Sequence, residues 1–405
     1  MSLRRKQKQS LLFPAERKTT GQKVCIGLVV LVMLGGAAAL LLSCCFTRQR
    51  IPEVPPLPSA PPTVTMPSTV RILLTSGTEA TVACPGGGTW HAGPPEQSPV
   101  LTSGEGPWEI ALDGAQVVLD GEPVGARALL YANDSRFSLN GRTYRGRLAA
   151  RASEGALTIY NELPPEQYLR SVVGSEMYAG WPLDAQMAQA VAARSYMLYT
   201  QRDKGYLNLV DMAYKGIEAE SRYPDLAVEL TQGIVITYNG RLFPVYFHST
   251  CGGHTAAVTK VFNDELIAPL AGVPCDWCRQ SPAYEWEARF SATEIAEALA
   301  DWGVERVRSL VPLGTEPEGY ASEILVNGDL EMDANAFRLA VGGSKLKSTR
   351  FQVTARGDDF LFEGRGYGHG VGLCQWGAWG LAREGRDWQY ILKYYYPGVA
   401  IEQAD

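Results

Sequence analysis

Beyond residue 50 the sequence is short of positive charge. The 405-residue chain carries 37 Lys and Arg against 43 Asp and Glu. Nine of those bases, with a single acid (Glu16), lie in residues 1–50, so the remaining 355 residues hold 28 bases against 42 acids. An acidic body lacks the footprint that a nucleic acid or polyphosphate needs, and no nucleic-acid partner is expected. A phosphate loop is also missing, because no Lys-Ser/Thr follows the glycine-rich stretch near the C-terminus. Compositional bias is absent too. With 46% hydrophobic and 20% charged residues, 25 prolines and 42 glycines, wholesale disorder and collagen-like repetition are excluded.

Charge of either sign is missing from residues 24–46, VCIGLVVLVMLGGAAALLLSCCF. At ~1.5 Å per residue this run reaches roughly 34 Å, enough to span a bilayer core. Seven bases precede it, and only Arg48 and Arg50 follow closely. The bias predicts a basic cytoplasmic leader (1–23), a single transmembrane helix (24–46) and a C-terminal domain outside the cell membrane. The alternatives are a cleaved signal peptide and lipid attachment at Cys44; the length of the run and of its leader weighs against cleavage. Residues 47–68 read as a Pro-rich linker, with seven prolines between 51 and 68, stiff and extended.

The predicted fold class is α+β. A β-rich N-terminal subdomain (69–160) precedes a mixed helix and antiparallel-sheet core (161–405). In the first part, short runs such as VRILL, EATVAC and AQVVLD alternate with DG and NG turn signals. Cys84 and His91 have no partner at metal spacing and read as packing residues. In the second, PPEQYLRSVVGSEM and PLDAQMAQAVAARSYMLYTQR carry helical periodicity. IVITYNGRLFPVYFHST alternates around an NG hairpin signal. A short helix over 291–302, strands through 321–363 and a closing helix, LAREGRDWQYILKYYYPG, complete the reading.

Several residues suggest chemistry. Tyr168, Val172 and Glu176 share one helix face, and Glu176 ends that helix beside Val172, Val173 and Met177. Partial burial there would raise its pKa and suit a general acid. Arg194 falls on the apolar stripe of Leu183, Met187, Val191 and Leu198, where a guanidinium needs a partner. Glu176 is the nearest plausible one, and the alternative is an arginine that snorkels at the stripe's edge.

Cys251 and His254 (C-x2-H) with Cys275 and Cys278 (C-x2-C) have the spacing of a closed, structural tetrahedral zinc site; disulfides are the competing reading. His248 could replace His254 as a ligand, or face the cleft. GRGYGHGVG implies close backbone approach. Its neighbours Tyr367, Trp376 and Trp379 offer flat faces for sugar rings, unless they simply pack a tight turn.

Taken in order, LPPEQYLRSVVGSEM, WPLDAQMAQAVAARSYML, VYFHSTCGGHT, GRGYGHGVGLCQWGAWGLA and YILKYYYPG resemble the stage II sporulation protein D family, which includes amidase-enhancer relatives, over residues 160–400. The resemblance implies a lytic transglycosylase, a carbon–oxygen lyase acting on peptidoglycan glycan strands, with Glu176 as catalytic acid. It implies substrate-binding or supporting roles for Arg194, Tyr214, His248, Tyr367, His369, Gln375 and Trp376. It also implies a zinc-type cluster at Cys251, His254, Cys275 and Cys278. Two departures stand out. Met212 and Ala213 precede Tyr214 where the family commonly has Gln-Val, and Cys374 occupies a position often held by serine. Neither is expected to touch the acid. The alternative function is a non-catalytic glycan-binding enhancer of a cell-wall amidase.

Overall fold

The short alternating runs between residues 70 and 163 form twelve strands in two sheets. The computed structural model describes residues 64–405 apart from 210 and 263. The basic leader, the apolar run and the linker as far as residue 63 lie outside the described residues. Among the described residues no helix is long and apolar enough to cross a membrane.

The architecture is mixed α+β. Val70–Gly77 buries alternate residues, as a strand with one face on a core must. It pairs antiparallel with Ala156–Leu163 in a seven-stranded sheet that ends, through Arg127–Ala132, at Val100–Gly104. A six-stranded sheet runs from Arg142–Arg145 to Glu122–Gly125. Part of this region repeats. Strands starting at Gln116, Glu122 and Arg127 recur at Arg136, Arg142 and Arg147, 20 residues on. The first two strands of each set are joined through Asp120-Gly121 or Asn140-Gly141, where Asp120 and Asn140 take φ of 50° and 49°. These are the tight hairpin turns that DG and NG favour.

Helices α1 (Pro165–Glu176) and α2 (Leu183–Lys204) follow. Ile72, Trp90, Ile110 and Phe137 share one hydrophobic core with Tyr168, Val172, Ala190 and Met197, so strands and helices are packed as layers of one body. Helix α2 is central. Its described surface is buried nearly all round from Ala185 to Leu198, while Leu183 and Met187 of the expected stripe are only half-buried.

Arg194 is fully buried on α2, but its partner is not Glu176. Its Nε and Nη2 donate to the two carboxylate oxygens of Glu166, at 2.8 and 2.6 Å. Nη1 donates to the Ile234 carbonyl at 3.0 Å, and Nη2 to that of Val228 at 3.3 Å. The guanidinium thus ties α1 and α2 to α3 (Arg222–Leu230) and to the strand Ile234–Thr237. Glu166 sits at the start of α1, two turns and more from Glu176, which is why chain proximity pointed to the wrong carboxylate. Replacing Arg194 by Ala leaves a carboxylate and several carbonyls unpaired, and should cost about 3–5 kcal/mol in denaturant unfolding.

A second core forms around Ala188, Val191, Val245, Cys251, Leu373, Leu381 and Tyr395. The expected hairpin at Asn239-Gly240 shrinks to a single bridge, Tyr238 to Arg241. Pro244 has no N–H to continue a ladder. Ile234–Thr237 pairs instead with Ala400–Gln403, and Phe247–His248 lies parallel to Leu373–Cys374. A third core spans residues 286–362, between the sheet of Glu285–Ser291, Asp359–Arg365 and Phe351–Arg356 and the helices α4 (Ala292–Ala298) and α5 (Ala334–Val341). Helix α5 interrupts the strands expected through 321–363, because Asp333 caps it by accepting from Ala336 N–H at 2.6 Å. The closing segment is two helices, α6 (Gln375–Arg383) and α7 (Trp388–Tyr395), parted at Gly385, where φ is 81°.

Candidate active site

Helix α1 stops at Glu176 because Met177 turns extended. The Glu176 carboxyl is then gripped by two donors from opposite parts of the chain. Ala213 N–H donates to Oε1 at 2.9 Å, and Gln375 Nε2 donates to Oε2 at 3.1 Å. Burial raises the Glu176 pKa above the ordinary carboxylate value; the two donors and the Lys215 charge pull the other way. Arg194 is engaged with Glu166 and does not oppose the desolvation.

Gln375 is 5% exposed and opens α6, whose N-cap is Cys374. The next residue, Trp376, faces an aromatic group that reaches back to the end of α1. Trp181 lies 5.0 Å from Trp376 and 6.3 Å from Trp379 between ring centroids; Trp376 and Trp379 are 5.4 Å apart. Tyr178 completes the group at 5.3 Å from Trp181, and is 65% exposed. The link that presents Tyr178 and Trp181 is pinned from α2. Gln186 Nε2 donates to the carbonyls of Ala179 and Trp181, at 3.2 and 2.9 Å. A half-buried carboxyl thus ends the helix from which the link carrying Tyr178 and Trp181 departs, and its donor Gln375 precedes Trp376.

His248 is buried and His369 half-buried. His369 donates from Nε2 to the Phe247 carbonyl at 2.8 Å, and its Nδ1 accepts from Val371 N–H at 3.1 Å. Both nitrogens are committed to one neutral tautomer, and burial pushes its pKa down to about 3. His248 donates from Nδ1 to the Val371 carbonyl at 3.1 Å, and burial lowers it to about 4. Its Nε2 is buried without a hydrogen-bond partner among the described residues. The two rings are 5.6 Å apart. They buttress the backbone from which Cys374 and Gln375 emerge.

Tyr214 is buried and donates its hydroxyl to Asn161 Oδ1 at 2.6 Å, with its ring against Tyr168 and Tyr144. It anchors the loop whose Ala213 N–H reaches Glu176. The departure at Met212-Ala213 thus does touch the acid, but through the backbone, which any side chain supplies. Tyr367 is 38% exposed and exchanges backbone hydrogen bonds with Thr250. The interactions described for it do not reach Glu176. A cavity of about 830 Å³ lined by Trp286, Arg350 and Glu363 contains none of these residues.

Four buried sulfurs, of Cys251, Cys275, Cys278 and Cys374, lie within 4.8 Å of one another. The fourth member is Cys374, where the spacing had suggested His254. His254 Nδ1 instead lies 2.7 Å from the Thr255 carbonyl, and the residue is half-buried. The set suits a tetrahedral metal. None of the four cysteines is in a disulfide, and Cys251 and Cys278 Sγ are 3.5 Å apart, about the edge of a tetrahedron with ~2.3 Å bonds to zinc. The N–H groups of Cys251 and Gly377 both donate to Cys374 Sγ at 3.3 Å, as outer-sphere donors to a thiolate do. Burial holds the Cys251 and Cys374 protons well above the ordinary thiol value, whereas hydrogen bonds from the other cysteines favour a thiolate at Cys278. Glycine is required at 377, where a Cβ would meet Cys275 Sγ at 2.7 Å.

Comparison with known proteins places the chain in a family. A family model described as "Stage II sporulation protein" matches residues 153–238, which hold α1, Glu176, α2 and Tyr214. An uncharacterised protein of Brachyspira hyodysenteriae is 32% identical over 282 residues, 67% of this chain and 76% of its own. Stage II sporulation protein D of Bacillus subtilis is 30% identical over 293 residues, covering 64% of this chain and 83% of that protein. The chain belongs to the stage II sporulation protein D family. An amidase enhancer of Bacillus subtilis is 27% identical over 325 residues, 67% of this chain but 46% of the enhancer.

Proposed function

We propose that this protein is a membrane-anchored peptidoglycan lytic transglycosylase whose C-terminal domain works outside the cell membrane. The observation that carries the reading is a single desolvated carboxyl, Glu176, held by two hydrogen-bond donors beside Tyr178, Trp181 and Trp376. In this scheme Glu176 starts protonated. It donates its proton to the leaving oxygen of the N-acetylglucosamine as the bond from the muramoyl C1 breaks. The muramoyl C6 hydroxyl attacks C1, and its proton returns to Glu176. A 1,6-anhydro ring closes the strand. The nucleophile is intramolecular, so no second carboxylate has to activate water. Ala213 N–H and Gln375 stabilise the carboxylate that exists between the two proton transfers.

The four cysteines would hold a structural zinc ion. With four protein ligands such a site is closed, and it supplies rigidity rather than chemistry. It joins Cys251, the 275–278 loop and Cys374, the residue before Gln375.

The aromatic platform supplies binding. Replacing Trp376 by Ala should raise KM for glycan strands by roughly threefold to tenfold with kcat little changed, the pattern of lost uniform binding. Steady-state kinetics on isolated strands measure it. The activity itself is tested by the mass of new strand ends, because anhydro ends are lighter than reducing ends by one water.

A second reading is favoured by the similarity to an amidase enhancer. The same platform would dock glycan without cleaving it and deliver a cell-wall amidase. Strand binding with no new ends from the purified protein would select that reading.

A further inference from the structure

Gln189 contacts no surface, yet it meets the amide that holds Glu176. It is fully buried on α2, one turn beyond Gln186. Gln375 Nε2, which donates to Glu176 Oε2, also lies 3.4 Å from Gln189 Oε1. Gln189 Nε2 has no hydrogen-bond partner among the described residues. A residue present only to fill helix α2 would be apolar there, since a buried unsatisfied N–H is a cost.

A primary amide has two faces. If its N–H faces a carboxyl, the carboxylate is favoured; if its carbonyl does, the protonated acid is favoured. Ala213 is a backbone donor and has no such choice. Gln375 does, and the acceptor that engages its second N–H is Gln189 Oε1. We infer that Gln189 is a positioning residue that keeps the N–H face of Gln375 toward Glu176, and so sets how readily Glu176 gives up and regains its proton. The inference rests on Glu176 as the proton-transferring group of the proposed reaction. The other groups that act on this carboxyl are Lys215, which favours its charged form, and Tyr168 of α1, whose buried hydroxyl is held protonated.

Without the Gln189 acceptor, Gln375 is free to turn its carbonyl toward a protonated Glu176. The test is a titration of the full chain with glutamate carboxyl carbons isotopically labelled and observed by NMR. The Glu176 signal is identified by its loss in Glu176→Gln. Gln189→Leu should move the Glu176 midpoint upward by about one unit, the size of one hydrogen bond to a charged group. Gln189→Met, which keeps the side-chain length, should do the same and serves if the leucine variant folds poorly. In a Gln375→Leu background, Gln189→Leu should add no shift, since its effect acts through Gln375. An unmoved midpoint in both Gln189 variants, or an equal further shift in the Gln375→Leu background, overturns the inference. The titration needs no substrate, so a failure to cleave strands would count against the proposed activity and not against this result.

Discussion

Glu176→Gln should lower strand cleavage by about a hundredfold to ten-thousandfold, the range for loss of a general acid–base group. The fold should survive. The amide keeps an oxygen for Ala213 N–H, and no buried ion pair is broken, because Arg194 is paired with Glu166 instead. The pH dependence follows in sign. Burial raises the Glu176 pKa in the folded protein above its ordinary value of 4.5, so between those values the native state binds a proton that the unfolded chain has lost. This contribution to stability is full below 4.5 and is lost as pH rises through the folded value. Glu176→Gln should remove that decline. Wild-type activity should fall over the same rise, since the first step needs the protonated carboxyl. Circular dichroism melts and product rates across pH measure both; an unfolded variant, or one that cleaves at the wild-type rate, contradicts the assignment.

The second large effect concerns the four sulfurs. Cys374→Ser should lose bound zinc and lower stability by about 3 kcal/mol or more, because metal binding in such sites contributes to folding free energy. His254→Ala should keep both metal and stability. Cleavage should fall with Cys374→Ser as well, since Gln375 is the next residue and its hold on Glu176 depends on where α6 begins. Elemental analysis and denaturant unfolding read the pair. Zinc retained by Cys374→Ser and lost by His254→Ala would restore the ligand set that the C-x2-H spacing suggested.

That exchange of His254 for Cys374 shows where the sequence stops being informative. Local patterns were legible: α1 ends at Glu176, where the sequence reading puts a helix end, and DG and NG mark real turns. Three of the four sulfurs came from two short spacings. The fourth comes from 96 residues beyond Cys278 and is brought in by the pairing of Phe247–His248 with Leu373–Cys374, which no local spacing encodes. Arg194 was recognisable as buried and in need of an anion, but Glu166 and Glu176 lie on the same helix, and only packing chooses between them. Gln186 and Gln189 were invisible because α2 is buried nearly all round from Ala185 to Leu198, so no polar face marks them there. Tyr178 and Trp181 sit in a link without periodicity, and their nearness to Trp376 is a tertiary fact. The Ala213 N–H carries no side-chain signal at all.

The most direct measurement of the central claim is digestion of isolated glycan strands by the purified full chain in heavy-oxygen water. One carboxyl passing a proton between two sugar oxygens, with the C6 hydroxyl as nucleophile, puts no solvent oxygen into the product. The expected result is new anhydro ends free of label. Labelled reducing ends would mean that water attacks, and would contradict the account.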